Sequence, residues 1–153
     1  MSDRIAVMAR GRIEQVSSPT EIYDRPETLF VNQFVGTTNV LPGEFGTGGA
    51  GARVMFADGI GLDVPGTASF VSGAKVAVSI RPEQLRVVAG GGLPGTVKAV
   101  MPLGSHVVYD VEIAPQLSVK VSEPREGQAM RRAGERVHVA PTSPDACRIY
   151  PAS

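Results

Sequence analysis

The stretch that decides the fold is Val78-Ser79-Ile80-Arg81-Pro82-Glu83-Gln84-Leu85. A proline cannot donate a backbone hydrogen bond to a sheet ladder, so Pro82 ends the strand that runs up to Arg81. Arg81 and Glu83 then lie near each other at the exit of that strand, where an ion pair is predicted. Such a pair is either purely structural or part of a subunit contact, since exposed ion pairs contribute only about 0–1 kcal/mol and seldom mark a site.

The composition around this stretch is typical of a β protein. The chain has 18 glycines and 12 prolines among 153 residues, above the usual shares of roughly 7% and 5%. Valine-rich alternating segments lie between them and predict an all-β body of short strands joined by tight turns. We place its strands at 39–45, 52–57, 60–64, 75–81, 85–88, 95–101, 106–113, 117–123, 136–140 and 147–150.

The first 36 residues follow a different pattern. Two apolar, β-prone runs, at 4–8 and 12–16, predict a hairpin, because Gly11 between them can take the positive φ that a short loop requires. A short helix is predicted to start at Ser18, whose hydroxyl can cap it and is followed by a proline and a glutamate suited to a first turn.

A second helix is predicted over 27–35, with Gly36 closing it. Beyond Gly36 the apolar residues alternate, which predicts a domain boundary at about Thr37. Two glycine clusters, at 46–51 and 90–92, are interpreted as flexible connectors, and the second is expected to separate two halves of the β body.

Charge and motif content narrow the function. Fifteen basic and fifteen acidic residues leave a net charge of zero, which gives no support for nucleic-acid binding. The glycine clusters lack the following Lys-Ser/Thr that a phosphate loop requires, so ATP hydrolysis is not expected of this chain alone. No apolar run approaches the roughly 20 residues that cross a bilayer, and no secretory signal is recognised. With one cysteine, Cys147, a cytosolic location is the default expectation.

A few further residues are candidates for a site. Gly104-Ser105 lies between two β runs and predicts a turn, whose exposed backbone amides can receive a small anion. His106 and His138 are expected to be structural or surface residues, because two histidines and one cysteine offer few ligands for zinc. Cys147 has no sequence-local partner to activate its thiol and is expected to be buried. Catalytic, cofactor-binding and metal-binding residues are not predicted.

Both regions resemble parts of one protein family. Residues 78–85 resemble the Ile-Arg-Pro-Glu signature of the TOBE domain, a small β-barrel of oligonucleotide-binding (OB) type that follows the nucleotide-binding domain in many ABC import ATPases. Other strands of that barrel are similar to three further segments of this chain, residues 95–100, 103–111 and 133–141. The opening region resembles the end of the preceding nucleotide-binding domain, at residues 4–16, 18–23, 25–26 and 30–36. The chain is therefore expected to begin in mid-protein.

The resemblance implies a mainly β fold: an OB-like (TOBE/MOP-like) β-barrel preceded by a short α+β appendage from the end of a P-loop ATPase domain. Residues 1–36 are expected to be a C-terminal fragment of the nucleotide-binding domain, and residues 37–153 the TOBE regulatory domain. The intact protein is expected to use ATP and Mg, with no cofactor in this fragment. In the family, TOBE barrels stabilise the ATPase dimer, and in some members they receive an inhibitory substrate or a regulatory protein.

The resemblance also implies partners. A homodimer through the TOBE domains is expected, together with transmembrane permease subunits at the cytoplasmic face of the inner membrane. Candidate dimer or regulatory contacts are Arg81, Glu83, Gly104 and Ser105. The junction at 34–43 looks more like importers of polyamines, ferric iron and related small solutes than like sugar importers.

The apolar side chains of the opening segment are expected to pack on a domain that this chain lacks, so that the segment frays, swaps or packs against a neighbour. These residues include Ile5, Val7, Phe30 and Phe34.

Two other functions compete with this interpretation. A barrel of this kind can be a binding module for small oxoanions, held by backbone amides and short side chains at subunit interfaces. It can also bind oligonucleotides, which requires aromatic stacking platforms and a basic groove. The second alternative is disfavoured by 5% aromatic residues, the absence of tryptophan and the zero net charge.

Overall fold

A computed structural model of the chain describes residues 4–48, 51–57, 59–64, 70–125, 130–143 and 146–151. The chain divides into two compact units, Met1–Thr38 and Asn39–Ser153. We call them the N-terminal unit and the β unit.

The N-terminal unit opens with the predicted hairpin. Strands β1 (Ile5–Ala9) and β2 (Arg12–Ser17) pair antiparallel. Arg10 and Gly11 join them with φ of 53° and 76°, so both loop residues adopt the left-handed conformation that two-residue hairpins favour.

Two short helices follow, each capped by a hydroxyl group. Helix α1 (Pro19–Asp24) begins as predicted, with the Ser18 Oγ accepting the N–H of the third helical residue at 3.2 Å. Helix α2 (Leu29–Phe34) begins later than predicted, because the extended Thr28 caps it and accepts the Val31 N–H at 3.2 Å.

A small apolar core holds the hairpin against the helices. Val7, Ile22 and Val31 form it. The expectation that Val7 awaits a missing domain is wrong, because the unit's own helices bury this side chain to 2% exposure. The other three side chains named in that expectation remain substantially exposed: Ile5, Phe30 and Phe34.

The β unit contains all ten predicted strands. They are β3 (Asn39–Gly48), β4 (Gly51–Ala57), β5 (Ile60–Val64), β6 (Lys75–Ile80), β7 (Leu85–Val88), β8 (Leu93–Leu103), β9 (His106–Ala114), β10 (Leu117–Pro124), β11 (Arg136–Pro141) and β12 (Arg148–Pro151). A 3-10 helix (Pro82–Gln84) lies between β6 and β7. Strand β6 ends at Ile80, one residue before the predicted end, because Arg81 is the N-cap residue of the 3-10 helix.

The strands form two five-stranded antiparallel sheets. The first sheet has the order β12-β6-β3-β4-β5, and the second has the order β10-β9-β8-β11-β7. Most of their buried apolar side chains belong to one cluster, because successive residues of a strand point to opposite faces of the sheet. The valines of this cluster with 0% exposure are Val54, Val78, Val97, Val111, Val121 and Val139.

The glycine cluster at 90–92 connects two strands but, contrary to the prediction, does not separate two halves of the β body. Strands β7 and β8 flank residues 90–92, yet both pair with β11 in one sheet, so this cluster separates no halves. The chain changes sheet at Pro82–Gln84 instead. In the cluster at 46–51, Gly46 lies within β3 and Gly51 starts β4, while residues 49–50 lie outside the described part.

Candidate functional site

The two edge strands of the second sheet meet each other. Strands β7 and β10 occupy opposite edges of its strand order. Nevertheless, the Val87 N–H donates to Glu123 Oε2 at 2.9 Å, and Arg86 Nη1 donates to the Ser122 carbonyl at 3.1 Å. The sheet therefore curls until its edges touch and is joined there by side chains. We call these four residues, Arg86, Val87, Ser122 and Glu123, the seam.

Arg86 links the seam to the turn that precedes it. Its Nη1 also lies 2.8 Å from the carbonyl oxygen of Glu83 and 2.9 Å from that of Leu85. An arginine side chain carries donors only, in a fixed planar arrangement, which suits it to gather carbonyl oxygens from separate segments. Sequence reasoning missed Arg86, because its partner Ser122 is 36 residues away.

The predicted pair Arg81 and Glu83 lies at this turn. Arg81 is 7% exposed; its carbonyl accepts the Gln84 N–H at 2.9 Å and its own N–H donates to Gln84 Oε1 at 3.3 Å. Glu83 is exposed and contributes its carbonyl to Arg86. The structure thus joins Glu83 to the seam through its carbonyl and joins Arg81 to Gln84 within the same turn, and their ion pair stays a prediction.

The other predicted pair forms a tight turn between β8 and β9, as expected. Gly104 has φ of 68°, a conformation that glycine adopts at little cost. Ser105 Oγ lies 3.0 Å from His106 Nδ1, and the Ser105 carbonyl accepts the Arg125 N–H at 2.8 Å. Arg125 lies three residues beyond Ser122, about 10 Å along an extended chain. Ser105 bonds to Arg125, and Glu83 is linked to Ser122 through Arg86. Both predicted pairs therefore lie near the C-terminal end of β10.

Asn39 binds the same strand nearer its middle. Its Nδ2 donates to the Lys120 carbonyl at 2.9 Å, and its Oδ1 accepts the Lys120 N–H at 2.8 Å. The carboxamide makes both bonds that a residue of a neighbouring strand would make with Lys120. Asn39 is 8% exposed and 81 residues away in sequence, so no local signal could have found this contact.

The side chains of the seam, of the two turns and of Asn39 can form hydrogen bonds that stabilise the fold or bind a partner. Among the described residues, no group of three or more His, Cys, Asp or Glu side chains is arranged to hold a metal ion. Burial raises the pKa of the Cys147 thiol to about 11, so at neutral pH the thiol is protonated and a poor nucleophile. Within the described part, His138 Nδ1 is buried and has no hydrogen-bond partner.

The TOBE domain family matches residues 78–149, from the second half of β6 into β12. The chain carries a TOBE domain. The match includes the seam and both predicted pairs, whereas Asn39 lies before it.

Relatives that are ATP-binding proteins of importers align with a larger part of this chain than the TOBE family does. A spermidine/putrescine import ATP-binding protein PotA of Pseudomonas fluorescens is 35% identical over 156 residues, covering 99% of this chain and 43% of that protein. PotA 1 of Pseudomonas aeruginosa is 38% identical over 147 residues, covering 87% of this chain and 37% of the relative. An sn-glycerol-3-phosphate import ATP-binding protein of Chromobacterium violaceum is 37% identical over 92 residues, covering 60% and 25%.

The chain thus spans less than half the length of these relatives. Together with the TOBE match, they confirm the predicted resemblance to the C-terminal, TOBE-containing part of an ABC importer ATP-binding protein.

The fold also has a counterpart among solved structures. The cytoplasmic molybdate-binding protein ModG, with molybdate bound, aligns at a TM-score of 0.60 and 14% identity, covering 74% of this chain and 96% of ModG. The predicted mainly β, OB-like fold is confirmed. Among the described residues, no helix has the length and apolar character needed to cross a membrane.

Proposed function

We propose that this chain is the regulatory C-terminal part of the ATP-binding subunit of an ABC importer for a small solute, with a polyamine favoured. The alignment with a spermidine/putrescine import protein carries this proposal, because it extends over 99% of the chain, through both units. ATP and Mg are bound and used by the nucleotide-binding domain of the longer protein. The subunit works in the cytoplasm, against permease subunits of the inner membrane.

Within that subunit, the β unit serves as the dimerisation and regulatory module. The seam supports a self-contained module, because two side-chain hydrogen bonds join the edge strands β7 and β10 within one chain. Of the predicted contact residues, Glu83, Gly104 and Ser105 are exposed. Arg81 is 7% exposed, so it acts by holding the turn that presents Glu83.

An import assay tests the function. In cells that lack their own polyamine ATP-binding subunit, the C-terminal part of the Pseudomonas fluorescens relative is replaced by this chain, and uptake of labelled spermidine is measured. We expect uptake close to that with the intact relative, and reduced uptake when the replacement stops at Thr38. If the chimera is membrane-bound and hydrolyses ATP but gives equal uptake with and without residues 39–153, the proposed role of the β unit is wrong.

Light scattering of the full chain over a concentration series tests dimerisation directly. We expect a dimer that Glu83→Arg weakens, while Lys98→Ala, which removes an exposed ion pair with Glu112, leaves it unchanged. A monomer at every concentration contradicts dimerisation through this unit.

Binding of a small oxoanion is the second candidate, and the shared fold with ModG is the observation that favours it. The exposed Gly104-Ser105 turn is the candidate site. Calorimetric titration of the chain with molybdate, sulfate and phosphate decides it: micromolar binding that Ser105→Ala weakens supports this function, and flat traces eliminate it.

A further inference from the structure

Asn39 lies at the junction in the chain between the two units. Thr38 is the last residue of the N-terminal unit, and Asn39 is the first residue of the β unit and of β3. Through its paired bonds to Lys120, the residue that starts the first sheet also holds an edge strand of the second sheet.

The contacts continue from Lys120 to the seam. Ser122 and Glu123 follow on the same strand and hold Arg86 and the Val87 N–H. Lys120 and Glu123 are three residues apart, about 10 Å in an extended strand. The backbone of β10 therefore carries both sets of bonds.

We propose that the hydrogen bonds of Asn39 to Lys120 and those of the seam form and break cooperatively. The junction at Thr38–Asn39 is thereby coupled to the joining of β7 and β10. Loss of the Asn39 bonds loosens β10 at Lys120 and thereby weakens the bond between Glu123 and Val87. The coupling is reciprocal, because two events that share an equilibrium affect each other equally. The coupling itself does not depend on the proposed function. Only its role, which is to transmit the conformational state of the longer protein to the TOBE domain, rests on that function.

Amide hydrogen exchange of the full chain, resolved by NMR, tests the coupling. In Asn39→Ala, exchange of the Lys120 N–H is expected to rise about tenfold, since its hydrogen-bond acceptor is lost. The proposal requires that the Val87 N–H, bound to Glu123 and not to Asn39, also exchanges several-fold faster. In Glu123→Ala, the Lys120 N–H is expected to exchange faster by a similar factor.

Two controls separate coupling from general destabilisation. The amide of Val78, in the centre of β6, reports global unfolding, and Lys98→Ala removes only an exposed ion pair. The proposal is overturned if Val87 exchange in Asn39→Ala matches the wild type, or rises no more than that of Val78. If Asn39→Ala does not fold, Asn39→Asp keeps the acceptor for the Lys120 N–H but not the donor to its carbonyl. The loss of the bond to the Lys120 carbonyl loosens β10, so Val87 must then exchange faster than in the wild type, and unchanged Val87 exchange rejects the coupling.

Discussion

Glu123 accepts the Val87 N–H at 2.9 Å although the two residues belong to strands at opposite edges of one sheet. A sheet edge normally presents free backbone groups that invite pairing with other chains. Here a carboxylate reaches across and takes a donor that the ladder leaves unpaired. Closure by side chains needs no strand register between β7 and β10, so it fits strands of four and eight residues.

Removing the Glu123 carboxylate is expected to destabilise the β unit. In Glu123→Ala the part-buried Val87 N–H loses its acceptor, which costs about 1–3 kcal/mol. Urea unfolding of the full chain measures this as a lower free energy of unfolding. Glu123→Gln keeps an oxygen at the same place and should lose much less. Equal losses in the two variants would show that the acceptor is not what matters.

Arg86 is expected to contribute through its contacts with three carbonyl oxygens. Arg86→Ala should lower the free energy of unfolding by about 1.5–3 kcal/mol, the range for hydrogen bonds that involve a charged group. Arg86→Lys should recover only part of the loss, because the shorter lysine side chain does not reach the position of Nη1, the donor of all three bonds. Arg136 provides the matched control, because it is exposed and its side chain has no hydrogen bond or ion pair to the described residues. An equal loss in Arg136→Ala contradicts the prediction.

The sequence predicted the strands but not how their edges meet. Alternating apolar residues and turn glycines are local signals, and they located ten strands and the Gly104-Ser105 turn. The seam and the Asn39 contact join residues 36 and 81 positions apart, and such pairings leave no trace in local periodicity. The cluster at 90–92 was misjudged for the same reason, since only the pairing of β7 and β8 with β11 shows that they share a sheet.

Gly95 is expected to be intolerant of a side chain. A Cβ atom there would lie 2.7 Å from Val111 Cγ1 and 2.8 Å from the Glu112 carbonyl oxygen. Such overpacking typically costs about 1–3 kcal/mol, so Gly95→Ala should lower the urea midpoint. Gly90→Ala is the control, because no atom lies within 4 Å of its added Cβ. Similar midpoints for the two variants would mean that the β8–β9 pair relaxes freely.

The stability of the chain is expected to fall at alkaline pH partly through Cys147. Burial raises the pKa of this thiol from 9.0 to about 11. Between these values the folded protein keeps the proton that the unfolded chain releases, so rising pH favours unfolding, by about 1.4 kcal/mol per pH unit. The contribution is fully present below pH 9 and is lost as pH approaches 11.

Cys147→Ala removes this titration and leaves the other ionisable side chains in place. The difference in unfolding free energy between wild type and variant should therefore be constant below pH 8 and shrink above pH 9. Urea unfolding over this pH range measures it. A constant difference up to pH 11 would mean that the thiol ionises equally in the folded and unfolded states, which its 3% exposure argues against.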